Sequence, residues 1–448
     1  MSFKLEQIRR DLIANAKSSE LWDLVDVYGK QLDIKLNEAM AQGVLIAEKD
    51  PLKFVASLIT SMDRNVPIIL GNHQWGESEW VLFDQLFSPA VIFGLQKSTD
   101  GNQPLFKEKD QGSILIPTGG TSSDALRFAI HRWESLEAQS LMVQTFLGDK
   151  AINSICCLPL FHVSGLMQVI RAIASNGQIL FSQLNELESA SKLVAVEDFC
   201  LSLVPTQLSR LISKGFIFEK MDKFKAIFLG GAPTSDSLLK KAKDYSLPIV
   251  MSYGMTETAG MICAQSKESF LAGNFSSGKP LFGAEIKLNT REGFNILHVH
   301  SKSLFYGYWG SQLFERGEGL SSNDYGHFLE DGQLIIEGRT DNWIISGGEK
   351  INPKEVEENL NASGYIESAL VIGKDSKEWG QALVGILVPK GDLTDKALVD
   401  NLNDYLKQNL ANHKLPKAYL FVEELPILEN GKRDNGQIGK LLYSVTVD

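Results

Sequence analysis

The sequence predicts an α/β protein with a large N-terminal domain of mostly parallel sheet, a β-rich subdomain and a small C-terminal α+β domain. Between about residues 50 and 260, short apolar runs alternate with amphipathic stretches, which is the pattern of parallel strands connected by helices. Short alternating strands follow from about 280 to 338. The residues from 341 to 448 carry predicted strands and helices of their own, enough for a separate small domain.

The predicted strands of the large domain are short apolar runs. They are VPIILG, SILIPT, INSICCLPL, GQILFS, CLSLVPT, KAIFLGG and PIVMSYG, in this order between residues 66 and 254. Apolar residues near helical spacing predict a helix over 124–147, and the hydroxyl residues that open TSDSLLKKAKDYS predict a capped helix. The runs AEIKLN, NILHVHS and GQLIIEG form the β-rich subdomain. We place the joint near Thr340 and Asp341, which gives the domains 1–340 and 341–448.

The composition excludes several classes of protein. Hydrophobic residues make up 44% and charged residues 22%, as in a globular protein. A net charge of −11 argues against a nucleic-acid-binding protein, which usually carries a basic surface. The charged start MSFKLEQIRRDLIANA is not a signal peptide, and no apolar run is long enough for membrane insertion. The four cysteines lack metal-ligand spacing and indicate free thiols in the reducing cytoplasm.

Three predicted strands run directly into loops of small residues, PTGGTSS, LGGAPTS and SYGMTET. Ligands of open α/β sheets bind beyond the carboxyl ends of the strands. The first loop offers many N–H and O–H donors and a bare backbone, which suits a phosphate group. An ordinary surface connection is the alternative. The residues of this loop are Thr118, Gly119, Gly120, Thr121, Ser122 and Ser123.

An ordered set of motifs carries a resemblance. The set consists of PTGGTSS, LPLFHVSG, LGGA, YGMTET, DYGHFLEDGQLIIEGRTD, SGGEKINPKEVEE and PKAYLFVEELPILENGK. Its order and spacing resemble the adenylate-forming superfamily of acyl-CoA synthetases, adenylation domains and luciferases. Within it, LPLFHVSG followed by SLVPTQLSRL is similar to the 2-succinylbenzoate–CoA ligases of menaquinone and phylloquinone synthesis. The resemblance implies ATP, Mg²⁺ and coenzyme A, an acyl-AMP intermediate, and an aromatic dicarboxylic acid that becomes a CoA thioester.

The resemblance also assigns roles in binding the nucleotide. Tyr253 stacks on adenine, Thr256 bonds the α-phosphate and Glu257 holds Mg²⁺. Asp324 accepts the ribose hydroxyls, and Arg339 reaches ribose or phosphate. Further nucleotide contacts are assigned to Gly230, Gly231, Ala232, Ser252 and Gly254, and the alternative for the first three is a tight strand-to-helix turn.

The phosphate loop departs from the family pattern. The resemblance gives the loop from Thr118 to Ser123 the β- and γ-phosphates. Ser123 stands where a glycine is usual, and the usual proline and lysine are missing. Arg127 either supplies the charge of the missing lysine or is a solvated helix residue.

The resemblance implies that the C-terminal domain is mobile and that it carries a catalytic lysine. Lys432 matches the catalytic lysine, a cation that bridges the attacking carboxylate and the α-phosphate, and a mobile tail lysine is the alternative. Asp341 matches the hinge, and the turn at Gly347 and Gly348 is implied to enter the active site after the domain rotates. A rigid interdomain turn capped by Asp341 is the competing interpretation.

The acyl site is assigned to residues that follow and face the LPLF strand. His162 resembles the residue that gates this site, and it is otherwise a packed, hydrogen-bonded histidine. Ser164, Arg171 and Ser202 match positions that face the substrate. Arg171 lies in an apolar helix, where a buried guanidinium needs an anionic partner. The second carboxylate of succinylbenzoate is such a partner, unless Arg171 extends to solvent at the helix edge.

Two other functions stay open from the sequence. Another aryl- or fatty-acyl-CoA synthetase retains adenylation but changes the acid, and a fatty acid has no second carboxylate for Arg171. A degenerate, non-catalytic adenylate-binding protein is supported only by the altered phosphate loop.

Overall fold

The structure is a computed structural model. It describes residues 3–14, 17–39, 43–95, 106–118, 126–215, 219–291, 293–315, 317–391, 395–427 and 433–447.

The first sheet has five strands, four of them parallel. They are β1 (Val44–Ile46), β2 (Ile68–Leu70), β3 (Val91–Phe93), β4 (Ser113–Thr118) and β5 (Arg127–Arg132). Their order is β3-β1-β2-β4-β5, and β5 pairs antiparallel to β4 with His131 opposite Ile114. The loop with the predicted phosphate contacts therefore connects the two strands of a hairpin.

The second sheet has seven strands and apolar residues on both faces. They are β6 (Asn153–Cys156), β7 (Ile179–Phe181), β8 (Phe199–Leu203), β9 (Ala226–Leu229), β10 (Ile249–Met255), β11 (Gly260–Ala264) and β12 (Lys279–Pro280). The first five are parallel, and β11 and β12 extend the sheet in antiparallel fashion beyond β10. Alternate residues belong to two hydrophobic clusters, so Ile227 and Leu229 pack on one side and Phe228 on the other.

The β-rich subdomain is a four-stranded antiparallel sheet. Its strands are β13 (Ala284–Arg291), β14 (Phe294–Ser301), β15 (Leu320–Phe328) and β16 (Leu334–Arg339). The β15–β16 ladder sets Asp324 opposite Arg339. Residues of this sheet, among them Leu297, share a hydrophobic cluster with β11.

The C-terminal part has a sheet and hydrophobic clusters of its own. Its strands are β17 (Ile344–Ser346), β18 (Glu349–Ile351), β19 (Ile366–Ser376), β20 (Gly380–Pro389) and β21 (Ala418–Phe421). The order is β18-β17-β20-β19, and β21 pairs parallel with β20. The two clusters built on these strands contain residues from Ile344 onward only.

Helices cover the sheets, and several of them begin at a capping side chain. They are α1 (Ser18–Ala39), α2 (Pro51–Asp63), α3 (Glu77–Leu86), α4 (Trp133–Leu147), α5 (Val163–Ala174), α6 (Leu187–Ser191), α7 (Pro205–Ser213), α8 (Asp236–Asp244), α9 (Lys267–Leu271), α10 (Pro353–Ala362), α11 (Asp395–Asn409) and α12 (Asn435–Tyr443). The Asp50 carboxylate accepts from two N–H groups of α2, and the Ser235 hydroxyl accepts from α8.

The fold class predicted from the sequence is confirmed, including the mostly parallel sheets, the β-rich subdomain and the C-terminal α+β part. The predicted helix over 124–147 is wrong in its first part, because Arg127–Arg132 forms β5 and only Trp133–Leu147 is helical. The reason is that this segment forms hydrogen bonds along both of its edges. One edge pairs with β4, and at the other edge the Tyr306 N–H donates to the Ile130 carbonyl at 2.7 Å. These tertiary hydrogen bonds outweigh the helical spacing of Leu126 and Ile130.

The four cysteines are free, and three of them are buried. Burial raises the pKa of the Cys156 and Cys200 thiols to about 12, so both stay protonated at neutral pH. Among the described residues, no helix is both long enough and apolar enough to cross a membrane.

Candidate functional site

The predicted nucleotide residues meet where the second sheet contacts the β-rich subdomain. Tyr253 lies near the carboxyl end of β10, and its hydroxyl donates to Asp324 Oδ2 at 2.6 Å. Asp324 lies on β15 and is 6% exposed. Arg339, its neighbour on β16, donates from Nη1 to Asp324 Oδ1 at 3.2 Å. One carboxylate therefore joins residues of two sheets.

The charges around Asp324 define what it can bind. Burial raises the pKa of Asp324, an effect that the Arg339 charge and the Tyr253 hydrogen bond only partly offset, and the charge of Glu257 adds to the increase. Burial and the neighbouring Asp324 raise the pKa of Tyr253 well above its usual range. The Tyr253 phenol thus stays protonated and acts as a hydrogen-bond donor to Asp324. An ionised carboxylate has about four acceptor sites, so Asp324 retains capacity for further hydroxyl donors.

Arg339 binds two carboxylates at once. Besides Asp324, it donates from Nε and Nη2 to the two oxygens of Asp341 at 2.9 and 2.7 Å. Although burial would raise it, the pKa of Asp341 is held below its usual value by the Arg339 hydrogen bond and charge, with help from Asn323. Asp341 lies in the short 3₁₀ turn Thr340–Asn342 that follows β16. The predicted hinge residue is thus tied to the predicted nucleotide site through one arginine.

Thr256 and Glu257 occupy a tight turn between β10 and β11. The turn Thr256–Thr258 is a single 3₁₀ turn, and Ala259, which ends it, has a left-handed φ of 55°. The Thr258 hydroxyl stabilises it by accepting from the Met255 N–H at 2.9 Å. The Thr256 carbonyl accepts from His131 Nε2 at 2.8 Å, and Thr256 is buried. The backbone of this turn is therefore fixed on several sides.

Glu257 is oriented by a tyrosine that the sequence analysis did not single out. The Tyr308 hydroxyl donates to Glu257 Oε1 at 2.5 Å. The guanidinium of Arg127 lies over the Tyr308 ring, 4.0 Å from its centroid. Burial and the Glu257 charge raise the pKa of Tyr308, so its hydroxyl remains a donor. Arg127 lies on β5 rather than on a helix. Its positive charge is next to Tyr308, the residue that donates to Glu257.

The donor set at Glu257 fits Mg²⁺. The described residues contain no group of three His, Cys, Asp or Glu side chains that could hold a metal ion on their own. Mg²⁺ does not need such a group, since it binds through one or two carboxylates together with substrate phosphates and water. The Glu257 carboxylate, held from one side by Tyr308, would supply the protein ligand of that arrangement.

The small residues near the adenine position are required by packing. The Ser252 hydroxyl donates to the Leu229 carbonyl at 3.1 Å, and a Cβ on Gly230 would lie 2.7 Å from Ser252 Oγ. Gly231 has a φ of 86°, which favours glycine. A Cβ on Gly254 would lie 2.0 Å from the Gly260 carbonyl oxygen. Ala232 continues the turn after β9. Gly230, Gly231 and Ala232 are thus explained by the turn after β9, and Gly254 by the close approach of β11 to β10. The predicted nucleotide contacts of these residues stay a prediction.

Arg171 lies inside the protein, in the last turn of the apolar helix α5. It is 5% exposed, so its guanidinium does not extend to solvent. Its Nε donates to Gln139 Oε1 at 3.2 Å, and Gln139 in turn donates to the Met261 carbonyl at 3.0 Å. Burial lowers the pKa of Arg171 to about 10. In the described part of the chain, no carboxylate pairs with Arg171.

The other predicted acyl residues lie around the same helix. His162 is the residue before the first turn of α5, and its ring packs against Phe161 with centroids 4.5 Å apart. Ser164 lies in the first turn of α5, seven residues before Arg171 and so on the same side of the helix. Ser202 on β8 is paired with Phe228 on β9, whose ring centroid is 6.0 Å from Arg171 Cζ.

Part of the predicted phosphate and lysine contacts lies outside the described residues. These predictions concern Gly119, Gly120, Thr121, Ser122, Ser123 and Lys432. Thr118, the first residue of the loop, ends β4, and its hydroxyl donates to the Arg127 carbonyl at 3.4 Å. The turn at Gly347 and Gly348 joins β17 to β18 with φ values of 58° and 84°, the left-handed pair of a two-residue hairpin.

Three residues of this region were missed by the sequence analysis. His131 and Tyr308 contact the Thr256–Glu257 turn, and Gln139 holds Arg171. His131 fell within the predicted helix, and Tyr308 lies in a segment where no motif was noted. No local signal marks these residues, because their partners are between 32 and 125 positions away in the chain.

Two family models match this chain. The model of a family described as AMP-binding enzyme matches residues 36–309, and that of the AMP-binding enzyme C-terminal domain matches residues 355–432. The 2-succinylbenzoate–CoA ligase of Bacillus licheniformis is 32% identical over 60% of this chain and 57% of its own length. That of Oceanobacillus iheyensis is 32% identical over 69% of this chain and 65% of its own length. The chain thus spans about three fifths of the length of these curated relatives.

Solved structures show the same fold. The o-succinylbenzoate CoA synthetase of Bacillus subtilis, in complex with the acyl-adenylate intermediate OSB-AMP, has a TM-score of 0.75 at 22% identity, over 94% of this chain and 92% of that chain. ATP-bound MatB from Rhodopseudomonas palustris has a TM-score of 0.77 at 18% identity, over 98% and 97%.

Proposed function

The chain belongs to the AMP-binding enzyme family, and from this premise we propose that it is an AMP-forming acid–CoA ligase whose acid is 2-succinylbenzoate. One observation supports this class of reaction above all. Tyr253, Asp324 and Arg339 form a single hydrogen-bonded network. The charge of Glu257 acts on the same Asp324 carboxylate. An aromatic ring, a hydroxyl acceptor and a metal-binding carboxylate are the groups that a magnesium nucleotide requires.

The first half-reaction makes the acid reactive. A carboxylate oxygen attacks the α-phosphorus of ATP, the bond to the β-phosphate breaks, and pyrophosphate leaves with an acyl-AMP remaining. Both reactants are anions, so the protein must bring them together and spread the negative charge. Thr256 provides a hydroxyl donor for the α-phosphate, and Glu257 would hold Mg²⁺. When bound, the ion supplies neutralisation of the phosphate charge, and Lys432 adds a further cation.

The second half-reaction transfers the acyl group. The thiol sulfur of coenzyme A attacks the acyl carbonyl carbon, the bond to the phosphate oxygen breaks, and AMP leaves. The thiol needs the space that Lys432 occupies during adenylation. We propose that the chain divides into domains 1–340 and 341–448 and that the second rotates about Asp341. Support comes from the two family models, which fall on either side of residue 340, and from the separate C-terminal hydrophobic clusters.

The identity of the acid is supported by Arg171. Succinylbenzoate carries two carboxylates, of which one is activated and the other must be recognised. Arg171 is a buried cation whose described hydrogen-bond partner is the neutral Gln139. A carboxylate of the substrate supplies the counter-ion that the described residues do not. The names of the curated relatives agree with this choice. The proposed place of the reaction is the cytoplasm, on the route to menaquinone or phylloquinone.

A single comparison of acids tests this function. Pyrophosphate release is measured with 2-succinylbenzoate, benzoate and a medium-chain fatty acid, each with and without coenzyme A. The proposal requires ATP-, Mg²⁺- and acid-dependent release that is fastest with 2-succinylbenzoate, and AMP and thioester formation when coenzyme A is added. Faster release with benzoate or the fatty acid makes the enzyme a different acyl-CoA synthetase. ATP binding without release from any acid identifies a non-catalytic adenylate-binding protein.

A further inference from the structure

His131 connects the hairpin next to the phosphate loop with the turn that carries Thr256 and Glu257. We infer that His131 is a positioning residue for adenylation, which fixes the peptide between Thr256 and Glu257 through a hydrogen bond to the Thr256 carbonyl. The inference rests on the proposed function and assigns a role to a residue outside the predicted site.

The geometry leaves the imidazole ring one arrangement. His131 is completely buried. Its Nε2 lies 2.8 Å from the Thr256 carbonyl oxygen, which can only accept, so Nε2 carries the proton. Its Nδ1 lies 3.0 Å from Ser135 Oγ. With a partner at each ring nitrogen, the ring cannot rotate without losing both hydrogen bonds in a site closed to water.

The contribution of His131 is a hydrogen bond rather than a charge. Burial lowers the pKa of His131 to about 4, so the ring is neutral at the pH of the cell. A neutral donor does not compete with Mg²⁺ for the carboxylate of Glu257 or attract the phosphates. Its effect is therefore on the position of the turn.

His131 contacts the peptide between Thr256 and Glu257. The predicted α-phosphate contact of Thr256 and the predicted Mg²⁺ contact of Glu257 both depend on the position of this peptide. The Thr256 carbonyl also accepts from the Ala259 N–H at 3.1 Å, within the 3₁₀ turn. Ala259 has a left-handed φ of 55°, which is unfavourable for a residue with a Cβ. The next carbonyl, of Glu257, accepts from the Phe305 N–H at 2.8 Å. With both carbonyls held, the Thr256 hydroxyl and the Glu257 carboxylate leave the turn in fixed directions.

The same hydrogen bond couples two segments that must act on one nucleotide. His131 lies on β5, which pairs with β4, and the loop that begins at Thr118 connects these strands. The hydrogen bond from His131 thus ties the β4–β5 hairpin to the turn between β10 and β11. These two segments flank the residues to which the proposed function assigns the phosphate contacts.

The test uses three substitutions in the full chain. One removes the hydrogen-bond donor of His131, one replaces it by another donor, and one is a matched control elsewhere. His131→Met fills a similar volume without a donor, and His131→Gln keeps an N–H donor at a similar reach. Thr60→Val removes the hydrogen bond from the buried Thr60 hydroxyl to the Val25 carbonyl, 3.4 Å, between α1 and α2. Like His131→Met, it deletes one buried side-chain donor to a backbone carbonyl, but it does so at a packing contact of two helices.

We expect His131→Met to lower the kcat of pyrophosphate release roughly 10- to 100-fold, the scale of a misplaced catalytic group. The KM for ATP should change much less, because Tyr253 and Asp324 are untouched. His131→Gln should recover most of the lost rate. Thr60→Val should lower thermal stability while keeping the wild-type kcat. The inference is overturned if the kcat of His131→Met follows only its folded fraction, or if His131→Gln is as slow as His131→Met.

A binding measurement separates this inference from the proposed function. Titration calorimetry gives the ATP affinity with Mg²⁺ and with a chelator. Should the wild-type protein release no pyrophosphate from any acid, the proposed function fails, but the gain in affinity from Mg²⁺ still reports the position of Glu257. A smaller gain in His131→Met than in the wild type supports the positioning role, and equal gains refute it.

Discussion

Arg171→Leu is expected to separate substrate binding from folding stability. In most proteins a buried arginine is held by a carboxylate, and its removal leaves that carboxylate buried and unpaired. Here the guanidinium is 5% exposed, donates from Nε to the neutral Gln139, and has no carboxylate partner among the described residues. Its replacement therefore removes a buried charge without creating another.

The magnitudes can be worked out from the two opposing terms. Burial lowers the pKa of Arg171 to about 10. The ordinary value for arginine lies above 12, so burial costs the charged form about 3 kcal/mol, at about 1.4 kcal/mol for each pKa unit. Loss of the hydrogen bond leaves the Gln139 oxygen without its donor, which costs about 1–3 kcal/mol. The free energy of unfolding of Arg171→Leu should thus equal or exceed that of the wild type.

Binding of the dicarboxylic acid should respond in the opposite direction. A hydrogen bond between charged groups contributes about 1.5–3 kcal/mol, which corresponds to roughly a 10- to 150-fold increase in KM. The nucleotide contacts are on other elements, so the KM for ATP should stay within about twofold, inside the range of a distant substitution. Arg171→Lys keeps the charge but loses the planar fork, and should give an intermediate KM.

The assay combines pyrophosphate release, at varied 2-succinylbenzoate and varied ATP, with thermal and urea unfolding of the same preparations. Arg210→Leu, an exposed arginine on α7, serves as the control for loss of one positive charge. Two results would refute the reasoning. One is an unchanged KM for 2-succinylbenzoate in Arg171→Leu. The other is a large loss of stability, which would mean that Arg171 holds the fold rather than the substrate.

Four further substitutions test individual groups of the site. Asp324→Asn should raise the KM for ATP at least about 10-fold, since a charged acceptor is lost, and an unchanged ATP titration removes Asp324 from the site. Tyr308→Phe deletes only the hydroxyl that orients Glu257 and should raise the Mg²⁺ requirement about 10-fold or more, as loss of an outer-sphere partner does; an unaltered Mg²⁺ titration at saturating ATP argues against this. Lys432→Ala should stop adenylation but spare thioester formation from added acyl-AMP, and equal loss of both rates counts against it. Asp341→Pro should spare adenylation and block thioester formation, with Asp341→Asn as the control for the lost charge; parallel loss of both rates in the proline variant contradicts the hinge.

The large features of the fold were predictable because they follow from local patterns. Apolar runs such as SILIPT and KAIFLGG are found as β4 and β9, with the loops of small residues at their carboxyl ends. The three-residue strands β1 and β3 are too short for a periodic pattern to mark them. The β5 strand was predicted as helix, since its conformation is set by partners at residues 113–118 and 306–309. Pairing over such distances in sequence cannot be seen in a short window.

The same difference applies to the candidate site. Tyr253, Thr256, Glu257, Asp324 and Arg339 stand in motifs, and the structure brings Tyr253, Asp324 and Arg339 into one network. The residues that hold the others in place stand in no motif. Tyr308 reaches Glu257 across 51 positions in the chain. A motif states which groups contact the ligand, whereas the groups that orient them are determined by how the sheets pack.

The distribution of unfavourable features bears on the choice between a ligase and a non-catalytic adenylate-binding protein. Asp324 is buried with a raised pKa, Ala259 has a left-handed φ, and Arg171 is buried with no carboxylate partner in the part of the chain that the structure describes. Strained backbone costs about 1–3 kcal/mol per residue and concentrates, like perturbed pKa values, at functional sites. Asp324 alone would serve a protein that only binds a nucleotide. Such a protein has no use for a desolvated cation at Arg171, whose Cζ lies 6.0 Å from the centroid of the Phe228 ring. A second anionic reactant gives that cation a function, and a ligase is the class of protein that must bind one.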